Sequence, residues 1–541
     1  MKNKKNNPRR TTGKPVKASN IPVAVDAKKK AGKPIMRFFK PFMFFLLVIF
    51  CTIIYGNVFA RAEQEMYVCT DSSLLKFVLD QPMGWLVVAG RWAMLVFKSK
   101  WIGGILLAAI LTATACQIDY ILRLPKQWRG ISFLLPIAEL GWMANKGITI
   151  YYRSEPALII LVPLCTFIIL LCISLVMRFI RRKQKAAEDD EKAVSMTKEY
   201  ASLTKSYGAL VSLAAFVALA GYAIYFQQNT RLAASMQLKL WEQDWEGMTE
   251  DALSARKPSR TVAAYYAISL LRQNILIEHI FDIPYNYPND EAKTGNVNDE
   301  SGMYVTDCNF EAGLAQPAYH ESMEAHVMYG ISLYRLKRMT LCALLTEEYV
   351  LAKKYLALIS KMPFESAFVE KYGAMADNPR LIDQDPELAD IKDYFPKESH
   401  FEQYYMTPSF LGYNVGLMEG SNKTLTTSIA ACLYSKKIET LVPRLEILKN
   451  QGIALHPILQ QAILCGSVKH PELTKMFQVS QMVSSEMQAF LRSAVPYKDD
   501  KDKMRDELKE QWLGSYMYYY FCENNDSIAT GKANTKSSGV N

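Results

Sequence analysis

Large apolar residues are concentrated between positions 42 and 227, and the stretches on either side carry the mixed polar and apolar pattern of water-soluble protein. Within the apolar part, "PFMFFLLVIFCTIIYGNVFA" (41–60) is long enough as a helix to span about 30 Å of hydrocarbon. Four further stretches are expected to cross: 101–122, 131–152, 157–177 and 208–226. The one at 131–152 is interrupted by Pro136, Glu139, Asn145 and Lys146, which a spanning helix tolerates where its neighbours satisfy the freed groups. These spans make residues 37–227 a transmembrane helix bundle.

"GWLVVAGRWAMLVFKSKW" (84–101) decides the topology. If 84–98 does not cross, the basic loop Arg123, Lys126 and Arg129 and the cluster Arg178, Arg181, Arg182, Lys183 and Lys185 fall on the same side as the basic N-terminal segment. If it crosses, both move to the opposite side, against the bias of Lys and Arg toward cytoplasmic loops. Residues 73–98 are therefore expected to lie at the outer surface or to dip in and out, with Trp85 and Trp92 at headgroup depth. The N-terminus is then cytoplasmic and residues 228–525 form an extracytoplasmic domain at the inner (cytoplasmic) membrane.

The polar half is helical in pattern. "EEYVLAKKYLALISKMPFESAFVEKY" places Tyr349, Ala352, Leu356 and Ile359 on one stripe, stops at Pro363 and resumes as a second stripe. "SRTVAAYYAISLLRQNILIEHIF" and "TTSIAACLYSKKIETLVPRLEILKNQG" repeat the arrangement, with small residues followed by Tyr, Leu or Ile three and four positions on. Paired helices with Ala at close-approach positions are how tetratricopeptide-type solenoids pack. Strand signals are nearly absent, so the expected fold is all-α: a membrane bundle followed by a soluble tetratricopeptide-like helical-repeat domain. Segment 377–400, acidic and Pro-bearing, is expected to connect two groups of helices, and 183–206 to form a cytoplasmic loop. Residues 1–36 and 526–541 lack the apolar surface that would offset ordering entropy and are expected to be disordered.

The net charge of +10 changes this picture little, because the first forty residues hold thirteen Lys and Arg against the single acid Asp26. A charge confined to such a tail does not indicate nucleic-acid binding. Cys51, Cys165 and Cys172 lie in apolar runs, and Cys308, Cys342, Cys432, Cys465 and Cys522 are far apart without metal spacing, which points to buried free thiols.

The ionisable residues of the apolar part are the candidate catalytic positions: Glu139 within an expected span, Asp119 near the inner end of another, and Arg91 in the surface helix. They could form a proton or substrate relay, or simply satisfy neighbouring helices and headgroups. "HESMEAH" sets His320 and Glu324 one turn apart, but the HExxH pattern is absent and a solvated helix face is the simpler reading. No phosphate-binding glycine loop or nucleophile elbow is present, and neither a cofactor nor a metal is expected. The tyrosine run 516–520 reads as core packing with hydrogen-bonded hydroxyls.

The order of basic tail, spans, "YYAISLLRQN", "EEYVLAKKYLALISKMPF" and a closing "QWLGSYMYYYFCEN" resembles a family of bacterial multi-pass membrane proteins defined as a domain of unknown function. The family closes with an aromatic "TYWYYY"-like signature, from which "SYMYYY" departs at the Trp position. The resemblance runs over the whole chain and implies architecture but no activity. The expected role is a protein-interaction scaffold of the cell envelope, its partners the bilayer and a protein outside the cytoplasm. The alternative is a membrane-embedded enzyme or transporter of envelope lipids or glycans.

Overall fold

The computed structural model describes residues 35–125, 127–152, 155–188, 207–285, 301–397, 420–436 and 438–523. Among these residues every regular element is a helix and none is a strand. Of the expected disordered ends 1–36 and 526–541, residues 1–34 and 526–541 lie outside the described residues, as does most of the loop 183–206; Ile35 and Met36 already belong to a helix.

Three helices are long and apolar enough to cross a membrane: Lys100–Leu122, Leu158–Arg181 and Tyr207–Tyr225. A fourth candidate is a bent pair. The helix Ile35–Ile49 continues through a π-helical turn, Phe50–Ile54, and the chain then bends by 56° into Gly56–Gln64, the elbow helix. The apolar segment read as a span over 41–60 therefore ends at Ile54. The amide of Tyr55 donates to the carbonyl of Phe50 (2.8 Å), five residues back, and this widened turn sets the bend. Val58, Phe59 and Arg61 of the elbow helix are buried in protein.

Segment 131–152 is not one helix either. A 3-10 turn, Arg129–Phe133, leads into Leu134–Lys146, which is 13 residues long. Pro136 sits in its first turn, where a missing amide costs nothing, and the helix stops at Gly147, whose φ of +56° combined with ψ of −138° suits glycine alone. The broken segment runs beside Tyr207–Tyr225 along its length. At one end Gly130 and Gly208 meet so closely that a Cβ on Gly208 would stand 2.5 Å from the Trp128 carbonyl oxygen. At the other, the Tyr222 hydroxyl donates to the Asn145 amide oxygen (3.2 Å). Two further helices share a direction: the Arg181 guanidinium, near the end of Leu158–Glu188, donates to the carbonyls of Tyr120 (2.9 Å) and Ile121 (3.0 Å), near the end of Lys100–Leu122. Lys40 pairs with Asp119 (2.6 Å) at this same end.

Residues 73–98 form the short helix Lys76–Leu79, the helix Gly84–Met94 and a 3-10 turn, Leu95–Lys98, none of which has the length of a span. Gly84–Met94 lies against the start of Leu158–Glu188. A Cβ on Gly90 would overlap the Leu161 side chain, and Trp85 faces outward.

From Gln228 onward, helices that follow one another within each described stretch mostly pack as neighbours, as Gln228–Glu242 does with Trp245–Leu253 and Leu333–Leu345 with Tyr349–Ile359. Their starts are set by short polar side chains that accept the free amides of the first turn: Asp244, Ser259, Ser332, Ser421, Ser480, Asp500 and Ser515. Two helices, Arg260–Arg272 and Leu333–Leu345, are buried on nearly every side and form the spine around which the others pack. Segment 377–400 is more than a connector over its described part: Ile382, Leu388, Ile391 and Tyr394 are buried, and the Tyr394 hydroxyl donates to the Leu271 carbonyl (3.1 Å). Asp385 caps its helix, Pro386–Lys392, so a stretch that reads as a polar linker closes a core.

Candidate functional site

The three residues singled out from sequence lie apart. Asp119 is neutralised by Lys40. Arg91 makes a two-pronged pair with Glu155 (2.9 and 2.6 Å), fastening the surface helix to the start of Leu158–Glu188. Glu139 is buried beside Thr166, and its Oε2 has no hydrogen-bond partner. No pair links any one of them to another, so they do not form a common site.

The groups that do converge sit where the elbow helix meets the helical body that begins at Gln228. Arg61 is 1% exposed. Its Nε donates to Gln237 Oε1 (2.8 Å), its Nη2 to Glu65 Oε1 (2.5 Å), and its guanidinium lies 3.8 Å from the Tyr334 ring centroid. From there the polar contacts form a continuous line. Gln237 donates to the Tyr265 hydroxyl (2.7 Å), which donates to Asp307 Oδ2 (2.8 Å). Tyr334 donates to the same carboxylate oxygen, and Arg338 Nη2 to the other (2.7 Å). Glu311 stands between Arg338 and Arg272 (both 3.6 Å), and Arg272 reaches Asp390 (2.7 Å), which Lys423 also holds. On the opposite flank, Arg335 Nη2 approaches Glu65 Oε2 (3.1 Å). The line ties together seven helices, from the elbow helix to Asn422–Tyr434.

A second tie lies alongside. Lys98 and Lys337 both reach Glu365 (2.7 and 2.6 Å), with Glu63 buried near them. Beyond the elbow helix, the Met66 carbonyl accepts from the Leu333 amide (3.1 Å), Tyr67 donates to the Leu358 carbonyl (2.9 Å) and Asp71 pairs with Lys361 (2.6 Å). Between the two ties is a small cavity lined by Arg61, Glu65, Tyr152, Ser322, Tyr334 and Arg335, among others. Its volume of about 20 Å³ has room for roughly one water molecule. The acids and bases pair across helices and so fix those helices relative to one another, while Arg61 Nη1 and Arg338 Nε are buried without a hydrogen-bond partner among the described residues.

None of these residues was among the candidates from sequence, although the signal is visible. In "SLYRLKRMTLCALL", Arg335 and Arg338 are surrounded by apolar residues on every side of the helix, which leaves no wet face for them. Asp307 and Glu311, one turn apart in "TDCNFEAGLA", pose the same problem with the opposite sign. The tyrosine run packs as read. Tyr516, Tyr518 and Tyr519 are buried, with Tyr518 donating to the Arg505 carbonyl (3.0 Å) and Tyr519 to that of Tyr434. Glu321 joins His320 and Glu324, their ligand atoms within 4.8 Å of one another on an exposed helix, an arrangement that surface acids adopt without any ion.

The same two regions, the apolar helices and the all-helical body with its closing aromatic helix, are covered by two matches to one family model, over residues 33–180 and 141–523. The chain belongs to the family of unknown function DUF6057. No curated protein and no solved structure matches it. For this family member the converging charges are thus the feature from which a role has to be argued.

Removing one partner from such a buried set leaves the others uncompensated. Asp307→Ala strands Arg338, Tyr265 and Tyr334 and should cost about 3–5 kcal/mol in denaturant unfolding of the purified full chain. Adding Arg338→Met should restore part of that loss, and additive losses would mean the two groups do not act as a pair. A second expectation concerns pH. Burial pushes the carboxyls of Glu63 and Glu311 up to about 7, more strongly than the neighbouring cations pull them down. Each is raised above its unfolded value, so folding takes up protons: the contribution is full below about pH 4.5 and is lost as pH rises through about 7. The chain should gain stability from these two groups between about pH 8 and about pH 5.5. Glu311→Gln should shrink that gain, and an unchanged pH difference in the variant would show that Glu311 is not the titrating group.

Proposed function

We propose that this is a five-pass membrane protein whose body from residue 228 onward is a tetratricopeptide-like scaffold, held rigidly on the extracytoplasmic face and binding another envelope protein. The reading of five passes is supported by which helix ends lie together. Lys40, Asp119, Arg181 and the Gly130–Gly208 contact belong to one end of the bundle; Gly56, Lys100, Asn145 and Tyr222 belong to the other. The broken segment 129–146 joins the two ends, and at about 2.0 Å per 3-10 residue and about 1.5 Å per α residue it rises about 30 Å, enough for a crossing. Basic residues gather at the first end, as they do on the cytoplasmic side of a membrane.

The observation that carries the scaffold reading is the buried line from Arg61 to Lys423. It couples the membrane-proximal elbow to the full depth of the helical body, which a platform presenting a fixed surface needs and a tethered, independently moving domain does not. A second reading, chemistry on envelope lipids or glycans within the membrane, draws support from Glu139, whose buried oxygen lacks a partner.

Crosslinking the full chain in its own cells should attach a discrete protein to peptides from residues 228–523, and Glu139→Gln should change neither that adduct nor the phenotype of the deletion strain. Loss of the phenotype's rescue by Glu139→Gln, with no protein adduct, would replace the scaffold with the second reading. For topology, alkaline phosphatase fused after residue 541 should be active. An inactive phosphatase with a fluorescent cytoplasmic reporter at the same point would put the body inside and refute five passes.

A further inference from the structure

Two turns of the helical body carry large apolar side chains that none of the described residues covers. Val327 (77% exposed) and Met328 (61%) form the last turn of the helix Ala315–Tyr329, and Phe364 (72%) follows Pro363 in the turn after Tyr349–Ile359. Single exposed apolar residues are ordinary; what matters is where these stand. Tyr329, next to Met328, packs its ring on Tyr152 with centroids 5.3 Å apart, and Tyr152 belongs to the turn between the segment 129–146 and the start of Leu158–Glu188. Phe364 stands at the start of Lys100–Leu122: its carbonyl accepts from Lys98 Nζ (3.0 Å), and that ammonium lies 5.4 Å from its ring centroid. Both turns are therefore held at the same end of the apolar helices, level with the exposed Trp101 and the surface helix that carries Trp85.

Phe364 adds a second, independent sign. Its φ of +67° is a conformation that bulky residues avoid, and the bonds that Lys98 makes to its carbonyl and to the Glu365 carboxylate hold it there. The backbone is thus constrained to keep an aromatic ring out in the open. An aromatic ring beside Lys98, and an exposed valine and methionine at the same end of the apolar helices as the tryptophan-bearing surface helix, have the composition that settles at the boundary between headgroups and acyl chains.

We propose that the turns at Val327–Met328 and at Phe364 insert into the outer leaflet of the bilayer that holds the apolar helices, so that the body rests on the membrane at two points besides its covalent connection. This rests on the membrane reading above. A protein partner or a second copy of the chain would be the other occupants of these turns.

The test places the photoreactive residue benzoylphenylalanine at Met328 or Phe364 of the full chain, reconstituted in vesicles of radiolabelled phosphatidylethanolamine and phosphatidylglycerol. Val217, exposed in the middle of Tyr207–Tyr225, and Val468, exposed in the C-terminal group of helices, serve as references. Illumination should transfer lipid label to positions 328 and 364 severalfold above the yield at 468. Yields no higher than at 468, while 217 labels strongly, would overturn the insertion and leave the membrane reading intact. Covalent dimers formed through 328 or 364 in place of lipid adducts would overturn it in favour of a second copy. Failure of 217 to take label would remove both readings together.

Discussion

A guanidinium removed from water is among the most expensive groups a protein can bury, and this fold is arranged around one at Arg61. The cost of taking such an ion out of solvent amounts to several kcal/mol even after relaxation, and it is offset by the partners the group finds in the interior. Here Glu65 supplies the charge, Gln237 an aligned acceptor and Tyr334 a ring to lie against. Each of these is itself committed further: Gln237 to Tyr265, Tyr334 to Asp307, and Asp307 to Arg338. The pairings are therefore not interchangeable. Slip any of the seven helices by a turn and an uncompensated charge is left in the core, which penalises alternative packings more steeply than an apolar interface would.

The apolar elements show the same economy of backbone polarity. The first helix ends in a π-helical turn, and Arg231 from the helical body donates to the Ile54 carbonyl (2.7 Å) left open there. At Gly147 the segment alongside Tyr207–Tyr225 stops, and Asn145, Tyr222, Gln227 and Thr230 join in a chain of hydrogen bonds at that end. Breaks in helices are placed where side chains from a neighbour can complete them, the condition under which irregular backbone survives at membrane depth.

Much of this could be read along the chain, and the rest could not for a definite reason. Length and hydropathy located Lys100–Leu122, Leu158–Arg181 and Tyr207–Tyr225, because a long apolar helix is a local property. The stripe through Ala352, Leu356 and Ile359 marked a buried face for the same reason. The bend at Tyr55 was not legible, since hydropathy runs on smoothly from Ile54 into Val58 and Phe59 while the backbone turns. Nor could the chain announce that Arg61 answers to Gln237 or that Lys98 answers to Glu365. Such pairs are set by tertiary packing, and only the presence of charges in otherwise apolar helices hints that a partner exists. Glu139, the most conspicuous charge by that measure, meets the Thr166 hydroxyl and keeps its Oε2 without a partner among the described residues.

The elbow also imposes an order of events on assembly. Gln237 is made 176 residues after Arg61, and Leu358, which receives the Tyr67 hydroxyl, 291 residues after Tyr67. Until those segments emerge, the Arg61–Glu65 pair lacks the Gln237 acceptor and the Arg335 guanidinium that complete it, and closing loops of this length is slow compared with forming the local helix pairs. The first helix therefore reaches its final position late, although it is synthesised early. During that interval the nascent chain exposes Val58 and Phe59, and any factor that shields them would act on an assembly intermediate rather than on the finished protein.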